Sequence, residues 1–274
     1  MTAAAAGPPF PVVCCDLDGV VWRGDEPIPG SAEAIAGLRA AGIRVAFLSN
    51  NSSQRVGDLV AKLASFGVDA DPADVLTSAL AAGELLGGAL PAGARVLTCA
   101  GPGVVEALER AGLAPVDDLP ADAVVVGWHR TFDFDGLDRA SRAIRRGARY
   151  VATNMDATYP IPGDLLPGAG SIVAAVSAAS GRAPEVAGKP EAPTVELVRR
   201  HLGPSGIVVG DRPSTDGALA DALGWPFALV LSGVTAAVAP PGGEAVPSPP
   251  PPYVTDDLAA LVDGMLAGAQ SRPG

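Results

Sequence analysis

Four short segments of the sequence carry residue types that could do chemistry. Asp16-Leu17-Asp18-Gly19-Val20 sets two carboxylates two positions apart, directly after the apolar run Pro11-Val12-Val13-Cys14-Cys15. Like charges this close resist joint ionisation, and desolvation at the end of a buried strand adds to the cost, so something nearby must favour the anions. A divalent cation would do so. It would also let the two acids divide their work, one as an ionised nucleophile and the other as a proton shuttle. An Asp-rich turn closing a strand would read the same from this pentapeptide alone.

Ser49-Asn50-Asn51-Ser52-Ser53 gathers a hydroxyl and side-chain amides ahead of an expected helix, the makings of a phosphate seat assisted by the helix dipole. Simple capping by Ser or Asn is the plainer alternative. Gly188-Lys189-Pro190 offers one ammonium just before a helix expected over about 191–201. Pro190 at the first helical position would keep Lys189 extended. A helix start is the wrong end for a cation, which favours a functional placement over an ordinary surface charge. In Val208-Val209-Gly210-Asp211-Arg212-Pro213-Ser214-Thr215-Asp216-Gly217, two acids stand five residues apart across a turn into a helix. Such a pair can ligate a hard cation directly and order its water shell.

These segments need elements to position them. Val12 to Cys15 reads as a buried strand. A helix carrying Ala34, Ile35, Leu38 and Ala41 follows, capped by Ser31 and ended by Gly42, and Ile43 to Leu48 is the next strand. That order predicts a parallel right-handed crossover. Further strands are expected at Ile207 to Val209, Phe227 to Leu231 and Tyr253 to Val254, with a closing helix from Asp257 to Leu266. From about Ala82 to Glu185 a second alternation intervenes, with strands at Arg95 to Cys99, Ala123 to Gly127 and Tyr150 to Thr153. The expected fold is α/β: a doubly wound, Rossmann-like parallel-sheet core of residues 1–81 and 186–274, with a smaller α/β domain inserted over 82–185. Each of the four segments then falls at a strand end or helix start, where ligands of open parallel sheets gather. Residues 1–10 read as a loose tail and 240–252 as a Pro-rich surface loop.

Composition narrows the function further. The 274 residues carry 48% hydrophobic but only 4% aromatic side chains, so the core must be built mainly from Ala, Val and Leu. A net charge of −11 argues against nucleic acid or an anionic membrane as partner. It would also repel a phosphate dianion, so local positive charge has to come from a metal, a lysine and backbone amides. Cys14, Cys15 and Cys99 read as buried reduced thiols, and with no secretory signal and no apolar run of spanning length, a cytoplasmic protein is expected.

The Asp-x-Asp, Ser-Asn-Asn, Lys-Pro and Gly-Asp segments, in this order, resemble the four motifs of the haloacid-dehalogenase superfamily. The likeness runs from about Val12 to Leu266 and lies with the branch of small-metabolite phosphatases with a large α/β cap, such as nitrophenyl-phosphatase-like, phosphoglycolate and glycerol-phosphate phosphatases. Pro213, Ser214 and Gly217 depart from the commoner residues of the fourth motif. The resemblance implies Mg²⁺ held by Asp16, the backbone carbonyl of Asp18, and Asp211, with Asp216 in support. It implies Asp16 as nucleophile, Asp18 as acid and base, Ser49 and Lys189 on the phosphoryl group, and Asn50 helping to place it. Residues 82–185 would then be the cap, with Asn154 and Asp156 in a polar loop facing the substrate, although a turn stabilised by those side chains reads equally well. His129 and Arg130 would bear on the leaving group or lie in a solvated loop. Caps of this type often pair into homodimers in relatives.

Other classes fit less well. No Cys has an Arg six positions later, which excludes a cysteine phosphatase. A dehalogenase needs neither Asp18 nor Asp211. A phosphotransferase or phosphomutase would use the same four segments, and a non-catalytic phosphate-binding module would be expected to lack at least one of Asp16, Asp18, Lys189 or Asp211.

Overall fold

In the computed structural model, residues 10–161, 164–236 and 243–270 are described. Six parallel strands form the first sheet, in the order Tyr253–Thr255, Phe227–Val230, Ile207–Gly210, Val12–Cys15, Arg44–Ser49, Val75–Thr77. Its central members Val12–Cys15, Ile207–Gly210 and Phe227–Val230 are buried at every position, so they are near-continuous apolar runs rather than alternating ones. The chain winds one way from Val12–Cys15 through Arg44–Ser49 and the other way through Ile207–Gly210. That reversal opens a crevice at the carboxyl end of the first strand.

Five more parallel strands form a second sheet, ordered Glu185–Val186, Arg149–Ala152, Ala123–Val126, Arg95–Cys99, Ala114–Val116. Three apolar clusters fill the layers. Val13, Cys15, Val45 and Phe47 pack beneath the helices Ser31–Ala40, Val56–Ser65 and Leu258–Gln270. The opposite face, with Cys14, Ala46 and Leu48, belongs to one continuous cluster with Val96, Val125 and Val151 of the second sheet. The far face of that sheet, with Val124 and Val126, is covered by Phe134–Arg145 and Ala169–Ser180. Cys14 and Cys15 thus lie on opposite faces, buried and free of disulfides.

The cluster between the sheets depends on a close crossing of Ser78–Gly87 with Pro102–Arg110. A Cβ on Gly83 would come within 2.6 Å of the Ala107 carbonyl oxygen, a backbone atom that cannot move aside. Positions 81 and 82 both lie in the helix Ser78–Gly87, and 185 and 186 form the edge strand of the second sheet. No helix among the described residues is long and apolar enough to cross a membrane.

Several local expectations are corrected. The first helix is capped by Gly30, while Ser31 is its first residue and donates its hydroxyl to the Val20 carbonyl at 3.0 Å. The helix after Lys189 runs Ala192–Leu202 with Pro193 in its first turn, so Pro190 stands outside it. Short strands without a readable period were missed, chiefly the hairpin Thr158–Ile161 with Asp164–Pro167, and Ala114–Val116. Residues 1–9 of the expected tail and 240–242 of the expected loop lie outside the described residues; within the remainder, Glu244–Ala245 pairs with Thr235–Ala236.

Candidate active site

Asp16 is the first residue beyond its strand, and its amide still donates to the Val209 carbonyl at 2.9 Å. That ladder bond fixes the carboxylate at the switch point between Val12–Cys15 and Ile207–Gly210. Lys189 reaches it from the other side of the sequence: its ammonium donates to Asp16 Oδ1 at 2.6 Å, Asp216 Oδ1 at 2.7 Å and the Leu48 carbonyl at 3.3 Å. Burial opposes the ammonium, but Asp16 and Asp216 outweigh that opposition and raise its pKa.

Asp16, Asp211 and Asp216 are all buried, and each offers an oxygen within 4.8 Å of the others. Asp211 is clasped from above, its Oδ2 accepting from the Val234 amide at 2.7 Å. Gly19, at φ 89°, lies so close that a Cβ there would strike the Asp211 carboxylate, so the sharp exit from the first motif and the seat of Asp211 require the same glycine. Asp216 comes from the π-helical turn Pro213–Gly217, and its Oδ2 accepts from the Arg212 amide at 3.1 Å.

Three carboxylates thus face one ammonium. Burial, followed by the Asp216 charge, pushes Asp211 up to about 7, and burial also raises Asp16 well above the usual carboxylate range, against the pull of Lys189. A dication among them would offset both burial and mutual repulsion, and a set made only of oxygens suits a hard ion such as Mg²⁺. The residues fit the metal.

Ser49 ends the neighbouring strand. Its Oγ accepts from the Asn51 amide at 3.0 Å, leaving the hydroxyl proton to donate. The helix that follows starts at Val56, and the Val56 amide donates to Glu106 Oε2 at 2.9 Å. Asn50 and Asn154 have their amides engaged within the protein. Asn50 Oδ1 accepts from the Lys189 amide at 2.8 Å and its Nδ2 donates to Asp156 Oδ2 at 3.1 Å, while Asn154 Nδ2 donates to the Asn50 carbonyl at 2.6 Å. These bonds knit the Lys189 backbone, the Ser49 loop and the end of a second-sheet strand into one unit. Burial raises the Asp156 carboxyl above its ordinary range, opposed first by the Arg212 charge and then by the Asn50 amide.

Asp18 is half-buried, and its Oδ1 accepts two hydrogen bonds, from Trp22 Nε1 at 2.9 Å and from the Tyr159 hydroxyl at 2.9 Å. Asp16, Asp18, Ser49, Asn50, Asn154, Asp156, Lys189, Asp211 and Asp216 all line one cavity. The same cavity is lined by Asn51, Trp128, Tyr159, Arg212 and Thr215, which sequence reasoning did not select. Arg212 and Thr215 sit inside a motif already in hand and were within reach, whereas nothing in the sequence around Tyr159 marks it. Neither His129 nor Arg130 is among the lining residues. His129 instead contacts Thr131 Oγ1 at 3.1 Å and Cys99 Sγ at 3.7 Å, and Arg130 is exposed.

Comparison with known proteins bears on the same segments. A haloacid dehalogenase-like hydrolase family model matches residues 13–114, and a HAD-hydrolase-like model matches 186–261. The D-glycerol 3-phosphate phosphatase of Mycobacterium tuberculosis is 40% identical over 268 residues, covering 94% of this chain and 73% of the relative. An acid sugar phosphatase of Staphylococcus saprophyticus is 37% identical over 176 residues, 64% of this chain and 68% of that protein. Among solved structures, the Mycobacterium tuberculosis glycerol phosphate phosphatase in complex with magnesium superimposes with a TM-score of 0.80 at 37% identity, covering 92% of this chain and 76% of the other. The p-nitrophenyl phosphatase from Archaeoglobus fulgidus gives 0.82 at 32% identity, covering 94% of this chain and 100% of the other. The two family matches begin at the first strand and end in the last helix, and between them they bracket all four acids, Ser49 and Lys189. The chain belongs to the haloacid dehalogenase-like hydrolases, and within that family it is a phosphatase.

Proposed function

We propose that the chain hydrolyses small phosphorylated metabolites, of the class of glycerol phosphate, phosphoglycolate or a sugar phosphate, through an aspartyl phosphate on Asp16. One observation carries the reading: Lys189 bonds Asp16 and Asp216 at 2.6 and 2.7 Å in the cavity that Asp18, Ser49 and Asp211 also line. Asp16, whose carboxylate accepts from the Lys189 ammonium at 2.6 Å, attacks phosphorus in line, forming the P–Oδ bond as the bond to the ester oxygen breaks. Asp18 has one oxygen engaged by two donors and the other left to carry the proton. It protonates the departing alkoxide and then takes a proton from the water that attacks the phosphorus of the acyl phosphate. Inorganic phosphate leaves and Asp16 is restored.

Lys189 and the Ser49 hydroxyl stabilise the equatorial oxygens, where preorganised charge contributes most. Mg²⁺, held by Asp16, the Asp18 carbonyl and Asp211 with Asp216 in support, supplies charge neutralisation at those oxygens when bound. Asn50 and Asn154 keep Lys189 and the Ser49 loop in register. Residues 82–185 act as the cap on the core of 1–81 and 186–274, contributing Asp156 to the substrate side. The relatives named above, a D-glycerol 3-phosphate phosphatase and an acid sugar phosphatase, support the substrate class.

The test is phosphate release from a panel of small esters with Mg²⁺ or chelator, with Asp16→Asn as control. Metal-dependent release without added acceptor, absent in the variant, is expected. Turnover only with an acceptor alcohol would instead make the protein a phosphotransferase, and ligand stabilisation without any turnover would make it a phosphate-binding module.

A further inference from the structure

Tyr159 belongs to none of the four motifs, yet it touches the residue that moves the proton. Its hydroxyl lies 2.9 Å from Asp18 Oδ1 across 141 positions of sequence. It sits in the hairpin Thr158–Ile161 with Asp164–Pro167, which lies outside both large sheets. The ring is held from behind by Trp128, with centroids 5.2 Å apart and planes 26° apart, a stacked arrangement. Trp128 in turn donates its Nε1 to the Pro167 carbonyl at 2.9 Å, tying itself to the partner strand of the same hairpin. Hairpin, indole and phenol therefore form one braced unit against Asp18.

The other donor to Asp18 Oδ1, Trp22, opens the short strand Trp22–Arg23 only four positions along the chain, so that bond is local. The Tyr159 bond is not local: it forms only while the hairpin rests on the core. Because Asp18 hands its proton to the leaving oxygen, that oxygen must lie beside it. The phenol ring then borders the space where the leaving group sits, and both Tyr159 and Trp128 line the cavity.

We propose that Tyr159 is the positioning residue for Asp18 and also the wall that limits the bulk of the leaving group. Its hydroxyl holds the carboxyl in the orientation for proton transfer, and its ring excludes flat, bulky alcohols while admitting small polyols. The inference rests on the phosphatase reading above, and its two halves separate by substitution.

The experiment measures kcat and KM for glycerol 3-phosphate and p-nitrophenyl phosphate with Mg²⁺, on wild type, Tyr159→Phe and Tyr159→Ala, with melting curves to confirm folding. Tyr159→Phe keeps the wall and loses the tether. It is expected to lower kcat for glycerol 3-phosphate about 10-fold with KM within about twofold. The effect should be smaller for p-nitrophenyl phosphate, whose leaving group needs little protonation. Tyr159→Ala opens the wall and should shift the kcat/KM ratio toward the aryl ester by at least about 10-fold relative to Tyr159→Phe. A folded Tyr159→Phe with wild-type kcat on both esters, or a Tyr159→Ala whose ratio matches that of Tyr159→Phe, would overturn the inference and leave the phosphatase reading standing. A wild type inert to these two esters and to the whole panel above would overturn the two together.

Discussion

The two sheets share an architecture and differ in what stands at the ends of their strands. Both are fully parallel, and both bury their central strands. The first sheet ends in Asp16, Ser49 and Asp211, polar groups brought to one crevice by the reversal of strand order. Central strands of the second end in Cys99, Val126 and Ala152, and the residue after Ala152 is Thr153, whose hydroxyl takes a bond from Ser52 at 2.9 Å. Its polar contributions to the cavity come instead from the loop of Asn154 and Asp156 and from the Tyr159 hairpin. On the proposed mechanism, one sheet end carries the reacting groups; the other braces them and shapes the space beside them. Parallel α/β topology thus supplies a place for chemistry, and the strand-end residues determine whether the place is used.

Substitutions can break this contrast at its strongest point first. Asp16→Asn is expected to lower kcat by at least about 10⁴-fold, the scale of losing a nucleophile, with a melting temperature near that of wild type. Steady-state phosphate release and a thermal melt check both halves. Lys189→Met should cost about 10²–10³-fold in kcat. It should also cost roughly 3–5 kcal/mol in denaturant unfolding, because Asp16 and Asp216 are left buried without their cation.

Metal removal sharpens the same side of the comparison. A chelator should abolish turnover, and added Mg²⁺ should raise the melting temperature as the ion binds the native state alone. In the metal-free protein, burial and Asp216 hold folded Asp211 up to about 7, so between about pH 4 and 7 the native state binds more protons than the unfolded chain. Stability of the metal-free protein should therefore fall as pH rises through that window, and Mg²⁺ should flatten the slope. A pH series of melts with and without metal measures it.

On the bracing side, Asn154→Ala removes one of two donors to the buried Asn50 carbonyl, the Ser78 hydroxyl at 2.7 Å remaining. It should cost about 0.5–1.5 kcal/mol in unfolding and lower kcat less than any change at the first sheet. His129→Gln and Arg130→Ala, which lie outside the cavity, should leave kcat/KM within about twofold, the smallest effect of the series.

Much of the first sheet was legible in the sequence because its function leaves a local signature: a buried apolar run must stop at a charged or hydroxyl residue. Val12–Cys15 before Asp16 and Ile207–Gly210 before Asp211 are such places, and both the strands and the candidate residues that meet in the cavity follow from them. Lys189 was legible as a residue out of keeping with its position, though the reason assigned through Pro190 was wrong, since Pro193 opens the helix. The Tyr159 hairpin was not legible. Its strands are four residues each, carry Pro160 and Pro167, and show no period of two that would reveal a face. The partner of Tyr159, Asp18, lies 141 positions away, and only the packing of the two sheets brings them together. The engagement of Asn50 and Asn154 with each other's loops was hidden for the same reason: an amide at a strand end looks alike whether it faces substrate or backbone.

On the proposed mechanism, the groups meeting at the first sheet make Asp16 a phosphoryl acceptor. Rapid acid quench of the wild-type protein turning over glycerol 3-phosphate with Mg²⁺, followed by peptide mapping by mass spectrometry, tests it most directly. A phosphorylated peptide whose modification maps to Asp16 and disappears in Asp16→Asn is the expected result. Full turnover with no phosphorylated Asp16 at any quench time, or the phosphoryl group on another side chain, would contradict it.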